Sequence, residues 1–341
     1  MNKRVKLSYL VIAILIVAAV FTSCKKNNDD ENKEDNNNTT IEVDVYVAGY
    51  DKDMSGSTSI TSTVWKNGVV QNLFDGTDWR EARSIYVSGN DVYVAGYVPE
   101  TTFNVAKFWK NGVEQNLMNG SQYAAAHSIY VSGNDVYVAG ATNGAIATVW
   151  KNGIAQTLSD SFSVAVSVYV SGNDVYVVGV EQGIAKLWKN GVGQNLSDGT
   201  NNAAALSVYV SSSDVYIAGV DGNIAKLWKN GIVQNLTNEV NYAEARSVFV
   251  SGSDVYVAGF ENSIAKLWKN GVAQNLSDGT NPAKAQSVFV FNNDVYVAGY
   301  EANGYDDVAK LWKNGVAQNL SDTNIYRSAQ AYSVFVVKRN K

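Results

Sequence analysis

The stretch Ala265 to Gly279 reads AKLWKNGVAQNLSDG. At its centre stands Asn270-Gly271, flanked by two short runs in which apolar and polar residues alternate. An Asn-Gly pair between alternating runs specifies a two-residue type I′ hairpin, because both central residues must take φ > 0. The same Trp-Lys-Asn-Gly unit recurs with its tryptophan at Trp65, Trp109, Trp150, Trp188, Trp228, Trp268 and Trp312. Successive spacings are 44, 41, 38, 40, 40 and 44 residues. A period near forty belongs to repeat architectures in which each unit is one supersecondary element.

One full unit runs from Ser247 to Gly279. SVFVSGSDVYVAG is one hairpin, turning at Gly252-Ser253, and IAKLWKNGVAQNL is the next, turning at Asn270-Gly271. Each repeat therefore predicts four short antiparallel strands, named here A (SVFV), B (DVYVAG), C (AKLWK) and D (VAQNL). Strands A and B are almost wholly apolar and read as buried on both faces. Strand D carries Gln274 and Asn275, which suits an outer edge. The copies are out of phase: the first strand is a B (Asp44 to Gly49) and the last is an A (Ser333 to Val336). A ring uses this offset, because the last strand completes the first blade and removes two open edges. The expected fold is all-β, a seven-bladed β-propeller with four antiparallel strands per blade, over residues 41–341. A β-solenoid or an array of β-sandwiches is the alternative.

The composition agrees. The chain has 341 residues, 46% of them hydrophobic, with only 2 Pro but 20 Tyr, and its periodic runs are rich in Val and Tyr, which favours strands. No cluster of Lys and Arg follows one face, so nucleic acid is not an expected partner. The lone cysteine excludes a disulfide framework and a cysteine-based zinc site.

Residues 1–23 read as an export signal. Lys3, Arg4 and Lys6 form a basic n-region, and Leu7 to Val20 an apolar h-region shorter than the roughly 20 residues of a spanning helix. Thr22 and Ser23 then precede Cys24. This resembles a bacterial lipoprotein signal, which implies a lipidated, palmitate-bearing Cys24 as the first mature residue. Phe21 departs from the usual leucine of that motif. Without residues 1–23 the chain carries 24 basic and 32 acidic residues, a net charge of −8. Residues 24–40 include KKNNDDENKEDNNNTT, too polar to fold alone, and read as a disordered tether. Asp29, Asp30 and Glu31 resemble the acidic surface-export tags of Bacteroidota lipoproteins, although a solvated linker has the same composition. The resemblance implies an outer-membrane lipoprotein exposed at the cell surface, with the membrane as partner through Cys24.

From Ile41 onward the repeats resemble bacterial surface propellers of the YVTN type, in which an apolar inner strand leads to a VYVA strand. They also resemble WD-type blades in their strand-borne tryptophan, but lack the Trp-Asp ending and Gly-His start. The motifs of quinoprotein propellers are missing, so no cofactor is expected.

Sevenfold repetition also sorts structure from function. Seven rotated copies of a Trp, a Ser or an Asp cannot all attend one active site. The tryptophans are expected to pack between blades, and the Ser opening strand A and the Asp opening strand B to satisfy backbone groups at strand ends. The A–B and C–D turns hardly vary, whereas the B–C and D–A connections vary and share one face. Function is placed on that face and at the mouth of the central channel. An alanine always lies two residues before the strand A serine. The residue between varies: Arg83, His127, Val166, Leu206, Arg246, Gln286 and Tyr332. Three before the serine lie Glu81, Glu244, Lys284 and Gln330, among others, and five before it Trp79, Tyr123, Phe162 and Tyr242. The candidate ligand-binding residues are therefore Trp79, Glu81, Arg83, Tyr123, His127, Tyr242, Glu244, Arg246, Gln286 and Tyr332. Aromatic platforms beside Arg, Glu and Gln suit sugar rings and their hydroxyls; the same aromatics could instead cap blade interfaces. The long B–C connections Tyr50 to Ser62, Tyr97 to Asn104 and Glu301 to Asp307 surround the closure seam, and Asp306 with Asp307 is a candidate calcium pair. His127, the single histidine, lacks an evident orienting partner or nucleophile, so no catalytic residue is assigned and the chain is not read as an enzyme. The expected function is a monomeric binding module for a glycan or protein ligand. An envelope scaffold that docks membrane partners, and a polysaccharide lyase or hydrolase, are the alternatives.

Overall fold

In the computed structural model, the described residues are 41–53, 60–71, 81–99, 103–117, 123–304, 306–322 and 327–339. The signal, the tether with Cys24, and Trp79 lie outside them. Seven four-stranded antiparallel sheets make up this part of the chain. The closing sheet, blade 1, joins Arg327–Lys338 to Val43–Asp53, followed by Ile60–Lys66 and Val69–Gln71. Blades 2 to 7 follow in order over 81–116, 125–157, 163–195, 203–235, 243–275 and 283–319. Each innermost strand A abuts strand A of the next blade, and the circle closes between blades 7, 1 and 2. The seven-bladed propeller expected from the phase offset is the fold. Its seam is a ladder from Val43 opposite Lys338 to Asp53 opposite Arg327, with one register shift between Ala48 and Gly49. Beyond the ladder, Arg339 adds ion pairs to Asp44 at 2.9 Å and to Glu42 at 3.0 Å.

The tryptophans occupy the place assigned to them. All seven are at most 1% exposed. Trp312 of blade 7 packs in one cluster with Tyr256, Ala258 and Leu267 of blade 6 and with Val288 and Val290 of its own strand A. Trp65 does the same between blade 7 and the closing blade. Trp228 also donates its indole N–H to the Leu196 carbonyl of the preceding blade at 3.0 Å.

The Trp-Lys-Asn-Gly hairpins have the backbone of type I′ turns, with φ of +52° at Asn270 and +82° at Gly271. The asparagine works beyond its own turn. Asn270 accepts the Val255 backbone N–H at 2.8 Å and donates its amide to Asp254 at 2.8 Å. Lys269 pairs with the same aspartate at 2.7 Å and lies over the Tyr256 ring at 5.2 Å. The strand B aspartate thus receives two side chains of the neighbouring turn rather than backbone groups, a correction to the sequence expectation. Residues Asp254, Lys269 and Asn270 recur in this arrangement in every blade, from Asp44, Lys66 and Asn67 to Asp294, Lys313 and Asn314.

Strand A also departs from expectation. Strand B is buried on both faces over its centre, but strand A alternates, as in Val248 buried, Phe249 half-buried and Val250 buried. The half-buried face lines the channel. There Tyr86, Tyr130, Tyr169, Tyr209, Phe249, Phe289 and Phe335 form a closed heptagon with neighbouring ring centroids 4.6–5.0 Å apart. Tilted aromatic pairs at this spacing are favourable. The four tyrosine hydroxyls lie in hydrogen-bonding reach of one another. Burial holds the Tyr130 hydroxyl up to about 12.

Strand A does not begin at its serine. In blade 6 it starts at Ala243 and shifts register between Ala245 and Ser247, so Arg246 is a bulged residue without a cross-strand partner. The same shift occurs in every blade. It explains the glycine that follows Val-Ala in strand B. A Cβ at Gly259 would lie 1.9 Å from the Glu244 carbonyl oxygen, and its counterparts would meet the equivalent carbonyl at 1.7–2.1 Å.

Two predictions follow from these contacts. Gly259→Ala is expected to cost about 3 kcal/mol of stability, because backbone must shift to admit the methyl group. Gly252→Ala, in open space at φ +59°, is expected to cost only about 1 kcal/mol of backbone strain. Equal losses in chemical denaturation would show that the bulge does not impose the glycine. Lys269 and Asn270 hold the Asp254 carboxyl below its ordinary 3.8. A lowered folded-state value stabilises the fold above 3.8, and that contribution is lost as pH falls below it. The melting temperatures of the protein and its Asp254→Asn variant should differ at neutral pH and converge on acidification.

Candidate functional site

The bulge decides what faces the channel mouth. In a regular strand only alternate side chains would point there. The extra residue lets two successive residues do so, the variable one and the serine after it. One open cavity is lined by all seven variable residues and all seven serines. Arg83, His127, Arg246, Gln286 and Tyr332, named from the sequence as single positions, are therefore brought together in one axial cup. Each serine oxygen accepts a backbone N–H from the next blade. Examples are Val288 N–H to Ser247 at 3.1 Å, Val334 N–H to Ser287 at 3.2 Å and Ile85 N–H to Ser333 at 3.2 Å. The bonds run round the whole mouth. The aromatic heptagon lies one pleat deeper.

The cup is two-sided. Blades 4 and 5 contribute Val166 and Leu206, while blades 6, 7, 1 and 2 contribute Arg246, Gln286, Tyr332 and Arg83. Strand-start residues and their cross-strand partners follow the same division. On the polar side Glu244 faces Phe260, Lys284 faces Tyr300, Gln330 faces Tyr50 and Glu81 faces Tyr97. On the other side the pairs are Ala125 with Ala141, Val164 with Val180 and Ala204 with Val220.

Glu81 and Glu244 are not in the cup lining; they hold its arginines. Arg83 pairs with Glu81, donates to the Tyr97 hydroxyl at 3.4 Å and lies 4.6 Å from the Tyr332 ring centre. Arg246 pairs with Glu244 at 2.6 Å and donates to the side-chain amide oxygen of Gln286 at 3.1 Å. Tyr242 donates its hydroxyl to Glu244, and that carboxylate together with burial pushes the phenol up to about 12. Burial raises the Tyr332 hydroxyl further. Burial and the Arg246 charge lower Lys284, which lies 4.5 Å from the Phe260 ring centre.

The other candidates separate. Tyr123 and Tyr242 are 57% and 48% exposed, so they stand on the rim and do not cap blade interfaces. Tyr123 lines a neighbouring hollow, which His127 also borders. Trp79 lies outside the described residues. Asp306 and Asp307 do not form a calcium pair: they are consecutive in a strand and point to opposite faces. Gln330 donates to Asp307 at 2.5 Å, and burial raises that carboxyl. Among the described residues, the long connections around the seam begin and end as paired strand. Tyr50 pairs with Ser62, Val98 with Val105 and Ala302 with Asp307.

Sequence reading missed Tyr50, Tyr97, Phe260 and Tyr300, which back the polar side. The signal was present: the residue after the strand B glycine is aromatic in the blades whose strand-start residue is charged or Gln.

No protein-family profile and no curated protein matches this chain. Among solved structures it is similar to the computationally designed Ika8 protein, known from a crystal structure. The identity is 22%, covering 84% of this chain and 90% of that one, with a TM-score of 0.47.

His127 supplies a test of the cup's electrostatics. Burial and the Arg83 charge lower its imidazole from 6.5 to about 4. The unfolded chain therefore binds a proton that the folded one refuses between these values. Stability should fall as pH drops from 6.5 to about 4 and level off below. In His127→Gln, thermal melts across this range should lack that component of the slope.

Proposed function

We propose that this chain is a lipid-anchored, extracytoplasmic binding module that holds a glycan or protein ligand in its axial cup by non-covalent contacts, without turnover. One observation carries the reading. The side chains that build the ring repeat in every blade, whereas those projected by the bulge differ from blade to blade. Variation concentrated in a cavity on an otherwise repeated scaffold is what a specific binding site requires. The arginines are already fixed by carboxylates and aromatic rings, so little side-chain freedom is lost on binding. Strand B of the closing blade starts at Val43 beside the tight turn of Lys66 and Asn67, on the face opposite the cup.

A second reading has its own support. The first residue of each strand D is apolar and 63–77% exposed, from Val69 and Val113 to Ile154 and Ile232. A belt of this kind suits docking to a membrane-protein partner, as an envelope scaffold would.

The readings divide on one substitution. Leu206→Trp fills the cup from its apolar side and leaves the belt intact. On a glycan array and with candidate surface proteins, the first reading expects binding by the protein and its loss in Leu206→Trp. Binding that survives Leu206→Trp but fails in Ile154→Asp would overturn it in favour of the scaffold.

A further inference from the structure

The charge in the cup is at odds with the charge of the chain. The chain is acidic overall, yet no carboxylate is among the residues lining the cup, and both charged side chains there are arginines, Arg83 and Arg246. Beneath them the seven serine oxygens each receive an N–H from the neighbouring blade. A serine hydroxyl that accepts in this way still has its own proton to give. No acceptor within the described residues takes these protons. The mouth is therefore a ring of fixed O–H donors below two oriented guanidinium groups. Such a donor-rich cavity is matched by an anion, and a planar guanidinium matches the paired oxygens of a carboxylate.

The rest of the lining specifies what carries the anion. The opposite wall is small and aliphatic, Val166 and Leu206, and Tyr332 offers a ring face. A pyranose has an apolar C–H face and a hydroxyl-bearing edge. It can set the first against Val166, Leu206 or Tyr332 and the second against Gln286 and the serines. We propose that the cup binds the carboxylate of an acidic sugar, a uronic acid of an anionic glycan. This rests on the cup being the binding site, and it adds the class of ligand. The carboxylate is received by Arg83 or Arg246, and the sugar hydroxyls by Gln286 and the serine ring.

Titration calorimetry with trigalacturonate and with its fully methyl-esterified form tests the charge directly, because esterification keeps the sugar and removes the anion. The acid is expected to bind, and the ester to bind at least about tenfold more weakly, the scale of lost charged hydrogen bonds. At least one of Arg83→Met and Arg246→Met should weaken the acid by about tenfold or more and leave the ester unchanged. Arg83→Lys keeps the charge without the fork and should recover only part of the loss; it also serves if the methionine variant fails to fold. Equal binding of acid and ester would overturn the anionic class and leave the binding-module reading standing. Preference for a peptide with a free C-terminal carboxylate over its amide, with no response to either sugar, would overturn the sugar. Failure of every uronate, neutral glycan and peptide to bind, with Leu206→Trp indistinguishable from the unsubstituted protein, would overturn both.

Discussion

Each blade hands a backbone N–H to the serine of the blade before it, and the seven bonds close into a circle at the channel mouth. Much of the local sequence exists to make this bond. A serine can receive a neighbour's N–H only if it faces the channel, and the bulge before it provides that orientation. The bulge drives a carbonyl into the space where strand B would carry a Cβ, so strand B must have glycine there. The alanine before the bulged residue is fully buried in every blade, from Ala82 to Ala331, where no larger side chain fits without displacement. Alanine, variable residue, serine and opposing glycine are thus one device. Three positions are constrained by the ring, and the fourth is left pointing into the cup.

This division explains why the conspicuous residues are not the functional ones. Trp, Asp, Lys and Asn are the chemically rich members of the repeat, and each is committed. The tryptophan fills the seam between blades, and the other three tie strand B to the outer hairpin. Of these pairs, the Lys–Asp contacts outside the closing blade lie at the surface and contribute little each. The asparagine contacts are different, because they satisfy a backbone N–H at the end of the sheet in every blade. A residue that appears once, such as Gln286 or Tyr332, has no such duty.

The fold was legible because two signals were independent. The Asn-Gly turns reported strand pairing, and the phase offset between first and last strands reported closure; no open array explains the second. The cup was legible only as a column of variable residues before the serine. Its geometry was hidden by the bulge. Unbroken hairpin arithmetic from Ser84 opposite Ala95 would set Arg83 against Gly96 and Ala82 against Tyr97. The actual register sets Ala82 against Gly96 and Glu81 against Tyr97. That one-residue slip puts carboxylate, aromatic ring and guanidinium in a single cluster. It is also why Tyr97 and Phe260 escaped notice. Strand A was misjudged for a related reason. Its Tyr and Phe look like core residues in a list, but they close around an axis, which an apolar run cannot report.

The polar side of the cup overlaps the closure seam: blades 7, 1 and 2 belong to both, while blade 6 belongs to the polar side alone. The Val43–Asp53 strand pairs along its length with Arg327–Lys338, a longer ladder than that between strands A and B of any other blade. Strands B and C also continue upward as paired hairpins in blades 7, 1 and 2. Burying Arg83 beside Glu81, or Lys284 over Phe260, requires walls that exclude water and do not give way when charges are desolvated. The extended ladders supply such walls on that side. On the opposite side, the B–C turns of blades 4 and 5 are only two residues long, between Glu181 and Ile184 and between Asp221 and Ile224. The small aliphatic residues there need no support of that kind. The frame is asymmetric as well: Arg83 and Lys284 stand on blades with extended B–C ladders, whereas Arg246 and Glu244 stand on blade 6, whose B–C turn between Glu261 and Ile264 is as short as those of blades 4 and 5.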